Sequence, residues 1–165
     1  MRWHRALVFI AVLFASAGCD HVTKQLAHDV LAGSAAVSVV ADTVRFQVVY
    51  NDGGFLSLGA GLPAEIRGLF FLVLVPFVLF LVCVLVLRTR ALSRRSLVGL
   101  GLVAGGGLAN WLDRLVHAGA VTDFVSVGLG GLRTGIFNGA DVSVIAGALL
   151  LVLAVAEGGA EEKAA

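Results

Sequence analysis

Four long apolar runs alternate with shorter polar segments along this chain. The runs cover approximately residues 6–26, 68–87, 96–115 and 136–156. A helix of about 20 apolar residues spans the hydrocarbon core of a bilayer. The pattern therefore predicts one integral membrane domain over residues 1–165, mainly α-helical, with four transmembrane helices.

The segment between the first and second runs is too polar to span and has a different period. Residues 44–48 alternate between apolar and polar side chains, as a half-buried strand does. The Asn-Asp-Gly-Gly sequence at 51–54 is a turn signal, and residues 35–40 are a candidate partner strand. A proline then opens a short amphipathic stretch at 63–67. We expect a small extracytoplasmic β-cradle over about residues 35–60, followed by a short interfacial helix.

Basic residues predict the orientation of the spans. They precede the first run and fill the connection between the second and third, and the positive-inside rule places such clusters in the cytoplasm. Both termini are then cytoplasmic. The glycine-rich segment 125–135, between the third and fourth runs, is then an outer loop that we expect to be mobile. The basic residues concerned are Arg2, Arg5, Arg88, Arg90, Arg94 and Arg95.

Polar residues lie in or beside the apolar runs at the ends that this orientation places outside. An ionisable residue at membrane depth is costly and by default indicates a functional site. Their common depth predicts a site near the outer membrane–water boundary. These residues are Asp20, Lys24, Asn110, Asp113, Arg114, Asn138 and Asp141, with Asp123 in the outer loop after the third run.

Each cluster also has a structural interpretation. Asp20 and Lys24 are four residues apart, which suits an ion pair on one helix face. Asp113 and Arg114 suit a helix cap with its counter-ion. The glycines of segment 99–107 lack the preceding strand and the spacing of a nucleotide-binding loop, so close helix packing explains them better.

Two carboxylates from different segments suit acid–base chemistry. Neighbouring carboxylates in a low-dielectric site share a proton and titrate as a pair. One takes a proton from water while the other donates a proton to a carbonyl oxygen or leaving amine, which hydrolyses a peptide without metal or cofactor. Asp123 and Asp141 are the predicted pair, and Asp113 is the alternative partner.

Composition narrows the alternatives. The chain is 59% hydrophobic with a net charge of +1, which does not indicate a nucleic-acid partner, and its cysteines and histidines show no disulfide or metal-ligand spacing. A small proton-coupled transporter or channel component is the main alternative, although such sites usually lie near the bilayer midplane. A second alternative is a non-catalytic scaffold lipidated at Cys19, because residues 16–19 resemble a lipoprotein signal peptide.

Five motifs occur in order along nearly the whole chain. They are Asp20-x-x-Thr23-Lys24, Asn51-x-Gly53, Gly106-x-x-x-Asn110-x-x-Asp113-Arg114, Asp123-Phe124 and Phe137-Asn138-x-Ala140-Asp141. Together they resemble the bacterial lipoprotein signal peptidase (signal peptidase II) family. Members of that family are intramembrane aspartic endopeptidases that cleave prolipoproteins on the N-terminal side of a diacylglyceryl-modified cysteine.

The resemblance implies a role for each matched residue. It implies that Asp123 and Asp141 are catalytic, and that the enzyme works without metal or cofactor in the bacterial cytoplasmic (inner) membrane, with its active site near the outer leaflet. We also expect it to function as a monomer, because one chain supplies every group that the site needs. The implied partners are diacylglyceryl-modified prolipoproteins, membrane lipids and the inhibitor globomycin. Substrate binding is implied for Asn51, Gly53, Asn110, Arg114 and Asn138, and structural support for Asp20, Lys24, Asp113 and Ala140.

Overall fold

The computed structural model describes residues 2–89, 92–129 and 131–164, with the side chains of residues 2 and 158–164 left out. Arg90 of the predicted cytoplasmic cluster therefore lies outside the described residues. In chain order the elements are α1 (Arg2–Leu31), β1 (Val37–Val39), β2 (Val44–Asn51), a 3-10 turn (Phe55–Ser57), α2 (Ala64–Gly68), a π-helical segment (Leu69–Leu74), α3 (Val75–Arg88), α4 (Arg94–Val116), β3 (Val121–Leu129), β4 (Leu132–Arg133) and α5 (Gly139–Ala164).

Three helical stretches among the described residues are long and apolar enough to cross a membrane. They are Trp3–Leu31, Ala64–Arg88 and Gly139–Glu157. Helix α4 has 23 residues but is less apolar, because glycines and polar side chains interrupt it. The short helix expected at 63–67 is present as α2, and it leads directly into the stretch that continues to Arg88.

A proline lies just after the π-helical segment of this second stretch. Pro76 has no N–H to donate to the carbonyl oxygen of Leu72, four residues earlier. The indole Nε1 of Trp111 on α4 donates to that oxygen instead, at 3.4 Å. A neighbouring helix thus donates to a carbonyl group in the turn before the proline, where the helix lacks one backbone N–H.

Helix α4 packs closely against both α1 and α5. A Cβ added at Gly105 would lie 2.5 Å from the carbonyl oxygen of Leu13 on α1, and one added at Gly106 would lie 2.5 Å from that of Ala140 on α5. Small residues allow backbones to approach this closely. The glycines of α4 therefore serve helix packing, as predicted.

The strands form one antiparallel sheet in the order β1-β2-β3-β4. The predicted partner strands 35–40 and 44–48 are present as β1 and β2. The segment 125–135, expected as a loop, instead contains strand residues, because β3 pairs with the remaining edge of β2 and β4 pairs antiparallel with β3. Gly128 of this segment allows β3 and β4 to approach closely, since a Cβ at this position would lie 2.7 Å from the carbonyl oxygen of Leu132.

The sheet also determines where α5 begins. Phe137 forms an isolated antiparallel bridge with Val125 of β3, so the chain is still extended at that point. Hydropathy predicted that the fourth helix begins at residue 136. Helix α5 instead begins at Gly139. A tertiary contact overrides the apolar sequence here.

Basic residues lie at one end of the helices and the sheet lies at the other. Arg95 near the start of α4 forms an ion pair with Glu157 of α5, and α3 ends at Arg88. At its other end α4 leads directly into β3. Basic residues and sheet thus lie at opposite ends. A compact hydrophobic cluster fills the region toward the basic end and consists of Phe9, Val86, Leu97, Leu100 and Ala104.

Candidate active site

Asp123 and Asp141 line the same cavity at the sheet end of the helices. Asp123 belongs to β3, and Asp141 lies in the first turn of α5. The cavity has a volume of about 290 Å³ and is also lined by Asn51, Asn110 and Arg114. The structure therefore brings together the two carboxylates and three of the five residues that the sequence assigned to substrate binding.

Amide groups hold both carboxylates. Asp123 accepts hydrogen bonds from Nδ2 of Asn51 at 2.8 Å and from Nδ2 of Asn138 at 2.6 Å. Asp141 accepts from Nδ2 of Asn110 at 3.1 Å and from the backbone N–H of Asn138 at 3.2 Å. Each of the four carboxylate oxygens thus has a donor, and Asn138 bonds to both acids.

The start of α5 fixes Asp141 through a capping box. Asn138 precedes the helix, and its Oδ1 accepts from the backbone N–H of Asp141 at 2.9 Å. Its own N–H donates to the Asp141 carboxylate, so two backbone donors are satisfied reciprocally. Asp20 of α1 accepts from the backbone N–H of Ala140 at 2.7 Å. Asp20 and Ala140 therefore fix how α5 meets α1.

Lys24 is a buried cation that connects α1 with α4. Its Nζ lies 2.7 Å from the Asp20 carboxylate and 3.1 Å from the Asp113 carboxylate, and it donates to Oδ1 of Asn110 at 2.9 Å. The ion pair that the sequence suggested for Asp20 and Lys24 is thus present. Breaking such a buried pair on one side leaves an uncompensated charge, which is strongly destabilising.

Asp113 does not pair with Arg114, contrary to the sequence-based expectation. Adjacent helix residues project about 100° apart, so the two side chains leave α4 in different directions. Asp113 points to Lys24 and accepts a hydrogen bond from the backbone N–H of Thr122 at 2.6 Å. It does not line the cavity of Asp123 and Asp141. This position suits structural support and not the alternative catalytic role.

Arg114 holds the turn after β2 beside the cavity. Its Nη2 donates to the carbonyl oxygen of Gly53 at 2.6 Å, and its guanidinium lies 4.2 Å from the centre of the Phe71 ring. The backbone N–H of Gly53 donates to Oδ1 of Asn51 at 2.9 Å. A Cβ at Gly53 would lie 2.7 Å from the carbonyl oxygen of Leu58, so this tight turn requires glycine.

Burial raises the pKa of Asp123 to about 6. The hydrogen bonds from Asn51 and Asn138 favour the carboxylate and oppose this effect, whereas the negative charge of Asp141 adds to it. A carboxyl group with this pKa exchanges its proton readily near neutral pH, which suits general acid–base chemistry.

Several parts of the site carry no signal in the sequence. The backbone N–H of Thr122 donates to Asp113. Almost any residue could supply this backbone donor, so the residue type at this position does not reveal the contact. Ordinary apolar residues complete the cavity wall. Among the residues that the structure describes, no group of three His, Cys, Asp or Glu side chains suits a metal ion. The apolar lining residues that were not predicted are Phe55, Phe71, Val75, Val121, Val144 and Ile145.

Comparison with known proteins identifies the family. The sequence model of the family described as signal peptidase (SPase) II matches residues 10–156. The chain belongs to the signal peptidase II family. This confirms the resemblance seen in the five motifs, and it makes the protein an aspartic-type membrane peptidase.

Named relatives of the family are similar over most of the chain. The lipoprotein signal peptidase of Mycobacterium tuberculosis (strain ATCC 25618 / H37Rv) is 34% identical over 154 residues, which cover 90% of this chain and 70% of the relative. That of Helicobacter pylori (strain P12) is 35% identical over 147 residues, covering 89% of this chain and 85% of the relative.

Solved structures show the same fold. A bacterial membrane enzyme determined at 2.3 Å resolution superimposes with a TM-score of 0.77 at 21% identity, over 93% of this chain and 90% of that one. A second, determined at 1.9 Å resolution, gives a TM-score of 0.76 at 22% identity, over 89% and 91% of the two chains. The arrangement of helices and sheet is therefore that of known membrane enzymes.

Proposed function

We propose that this signal peptidase II removes the signal peptides of diacylglyceryl-modified lipoprotein precursors, cleaving on the N-terminal side of the lipidated cysteine. The observation that carries the proposal is the single cavity lined by Asp123 and Asp141, whose lining residues include no serine, cysteine or histidine. Family membership and relatives called lipoprotein signal peptidase support the substrate class.

The proposed reaction uses the two carboxyl groups as one acid–base unit. One carboxylate takes a proton from water, and the water oxygen adds to the carbonyl carbon before the cysteine while the other carboxyl group protonates the carbonyl oxygen. The C–N bond then breaks, and the leaving amine receives a proton from the pair. Asp123, whose pKa burial raises to about 6, is suited to hold the shared proton.

The surrounding polar residues divide into two proposed groups. Asn110 and Asn138, like Asn51, donate to the carboxylates directly and orient them. Asn51 and Gly53 lie in the turn after β2, which Arg114 of α4 holds beside the cavity, and these three residues meet the backbone of the substrate. Structural support falls to the remaining residues of the motifs, Asp20, Lys24, Asp113 and Ala140.

The proposed topology has four spans in the bacterial inner membrane with both termini in the cytoplasm. The basic residues at one end of the helices support this orientation, which places the sheet and the cavity near the outer leaflet. Helix α4 packs between α1 and α5, so protein neighbours and not lipid contact much of its polar surface. A substrate signal helix then enters sideways from the bilayer, with its acyl chains among the lipids.

One chain supplies both carboxylates and all their donors, so we propose that the enzyme functions as a monomer. We also propose that globomycin inhibits it, as the family resemblance implies.

Cleavage of a diacylglyceryl-modified prolipoprotein by the purified protein in detergent or lipid tests the proposal. A gel shift and mass spectrometry of the new N-terminus report the product. Asp123→Asn and Asp141→Asn should each lower the rate by at least about 100-fold, since each removes half of the acid–base pair. Asp113→Asn should retain part of the activity. Asp29→Asn is the matched control, because that carboxyl group is 80% exposed.

Each alternative gives a different result. Retained activity in both Asp123→Asn and Asp141→Asn contradicts the pair, and loss in Asp113→Asn with retention in Asp123→Asn moves the catalytic role to Asp113. Equal cleavage of an unmodified precursor contradicts the substrate class. A folded wild type that cleaves neither precursor favours the transporter alternative.

A further inference from the structure

His117 lies where α4 ends and the chain turns into β3. Ala118 and Gly119 reverse the chain with φ angles of 51° and 99°, and β3 begins at Val121. The Nδ1 atom of His117 lies 2.9 Å from Oδ1 of Asp113 and 3.1 Å from the backbone carbonyl oxygen of the same residue. Both neighbours are acceptors, so Nδ1 carries a hydrogen and donates.

The carboxylate that His117 contacts also holds β3 in place. Oδ2 of Asp113 accepts from the backbone N–H of Thr122 at 2.6 Å. Thr122 directly precedes Asp123 in the same strand. The Asp113 carboxylate therefore helps to hold the backbone beside Asp123, together with the pairing of β3 with β2.

The same carboxylate is connected to the second catalytic candidate. Oδ2 of Asp113 lies 3.1 Å from Nζ of Lys24, which donates to Oδ1 of Asn110 at 2.9 Å. Asn110 in turn donates through Nδ2 to Asp141 at 3.1 Å. Asp113 is thus connected to both acids: to Asp123 through one hydrogen bond and the backbone of β3, and to Asp141 through Lys24 and Asn110.

We propose that His117 is a positioning residue for Asp123 and Asp141, and that it acts through Asp113; this inference rests on the proposed function. Its Nδ1–H holds one carboxylate oxygen so that the other faces both Thr122 and Lys24. Without this donor Oδ1 of Asp113 loses its hydrogen bond to His117, the carboxylate is held only through Oδ2, and both routes to the acids loosen.

His117 acts from outside the substrate cavity. It lines a separate cavity of about 400 Å³ and is not among the residues that line the cavity of the two acids. Its ring also contacts Tyr50 of β2, with the ring centres 5.4 Å apart. The experiment therefore has to distinguish the packing of the His117 ring against Tyr50 from the hydrogen bond that His117 donates to Asp113.

Three substitutions separate them. His117→Ala removes donor and ring, His117→Phe keeps a ring against Tyr50 but has no donor, and His117→Asn keeps an N–H near the position of Nδ1. We expect kcat to fall about tenfold in the first two variants, because small displacements of catalytic groups are costly. KM should change little, and His117→Asn should recover to within about threefold of wild-type kcat. His28→Ala is the control, since His28 lines the same cavity without contacting Asp113.

Hydrogen–deuterium exchange provides a readout that does not depend on activity. The Thr122 N–H should exchange faster in His117→Ala and His117→Phe than in wild type, and His117→Asn and His28→Ala should protect it as wild type does. Mass spectrometry of a β3 peptide in detergent-solubilised protein measures this.

Three results would contradict this role of His117. The first is a His117→Phe variant with wild-type kcat and wild-type exchange of the Thr122 N–H. The second is a His117→Asn variant as slow as His117→Ala, and the third is a set of His117 variants that change KM but not kcat. If His117→Ala does not fold, the phenylalanine and asparagine variants decide. If wild type cleaves no lipoprotein precursor, the proposed function fails, and the exchange of Thr122 alone decides the role of His117.

Discussion

Replacing Asp123 by asparagine should make the protein more stable at neutral pH, and the gain should shrink as the pH falls. Burial raises the pKa of this carboxyl group from 3.8 to about 6. The folded state therefore favours the protonated form, and ionisation above pH 6 costs folding free energy. Asparagine has nearly the same shape and carries no charge at any pH.

The sign and size of the effect follow from proton linkage. The folded state binds this proton more tightly than the unfolded state, so stability falls as the pH rises through 3.8 and 6. The difference between the two pKa values corresponds to about 3 kcal/mol above pH 7 and to about half of that at pH 5. The new NH₂ group must face the Nδ2 donor of Asn51 or Asn138, and this lost hydrogen bond costs about 1 kcal/mol at every pH. A net gain of about 2 kcal/mol should remain above pH 7.

Unfolding of wild type and Asp123→Asn in detergent micelles between pH 5 and pH 8, followed by circular dichroism, measures this difference. Asp29→Asn is the control, because an exposed carboxyl group has no burial penalty to lose. The reasoning is refuted if Asp123→Asn is no more stable than wild type at pH 8, or if its gain is the same at every pH.

Two further substitutions probe the packing that supports the site. Gly106→Ala should lower the free energy of unfolding by about 1–3 kcal/mol and also lower kcat, because the new Cβ displaces the first turn of α5 at Ala140; thermal unfolding and the cleavage assay measure both. Trp111→Phe should destabilise by about 1 kcal/mol, because it removes the hydrogen bond from the indole to the carbonyl of Leu72. The loss should be smaller in a Pro76→Ala background, where the helix supplies its own N–H, and a double-mutant cycle measures this coupling.

Each of these predictions has its own control. Gly18→Ala adds the same methyl group to a helix where nothing lies within 4 Å, so neither stability nor activity should fall. If Gly18→Ala and Gly106→Ala behave alike, close packing at α5 is not the cause. If Trp111→Phe costs the same with and without Pro76, the hydrogen bond to Leu72 is not what the indole contributes.

The sequence was sufficient where the information is local. Hydropathy over consecutive residues located the long helices Trp3–Leu31 and Ala64–Arg88 to within a few positions, because the length of a span is set by the bilayer. The pairing of β1 with β2 followed from alternation and proximity in the chain. The spacing of five polar motifs identified the family.

The tertiary structure decided what depends on residues distant in the chain. Alternation alone did not reveal β3, because its partner edge is formed by β2, about 70 residues earlier, and strand pairing needs that edge in place. The partner of Asp113 was predicted wrongly, because the salt bridge forms with a charge that the fold brings close in space, Lys24, and not with the next residue in sequence.

The acids show the same division. Sequence alone marked both acids as candidates: Asp141 because a carboxylate at membrane depth is costly and therefore informative, and Asp123 because its motif and its place in the outer loop put it at the same boundary. Only the fold could place them in one cavity with an amide donor for every carboxylate oxygen. The physical reason is that burial and hydrogen bonding, which set the chemistry of a carboxyl group, are properties of its neighbours in space.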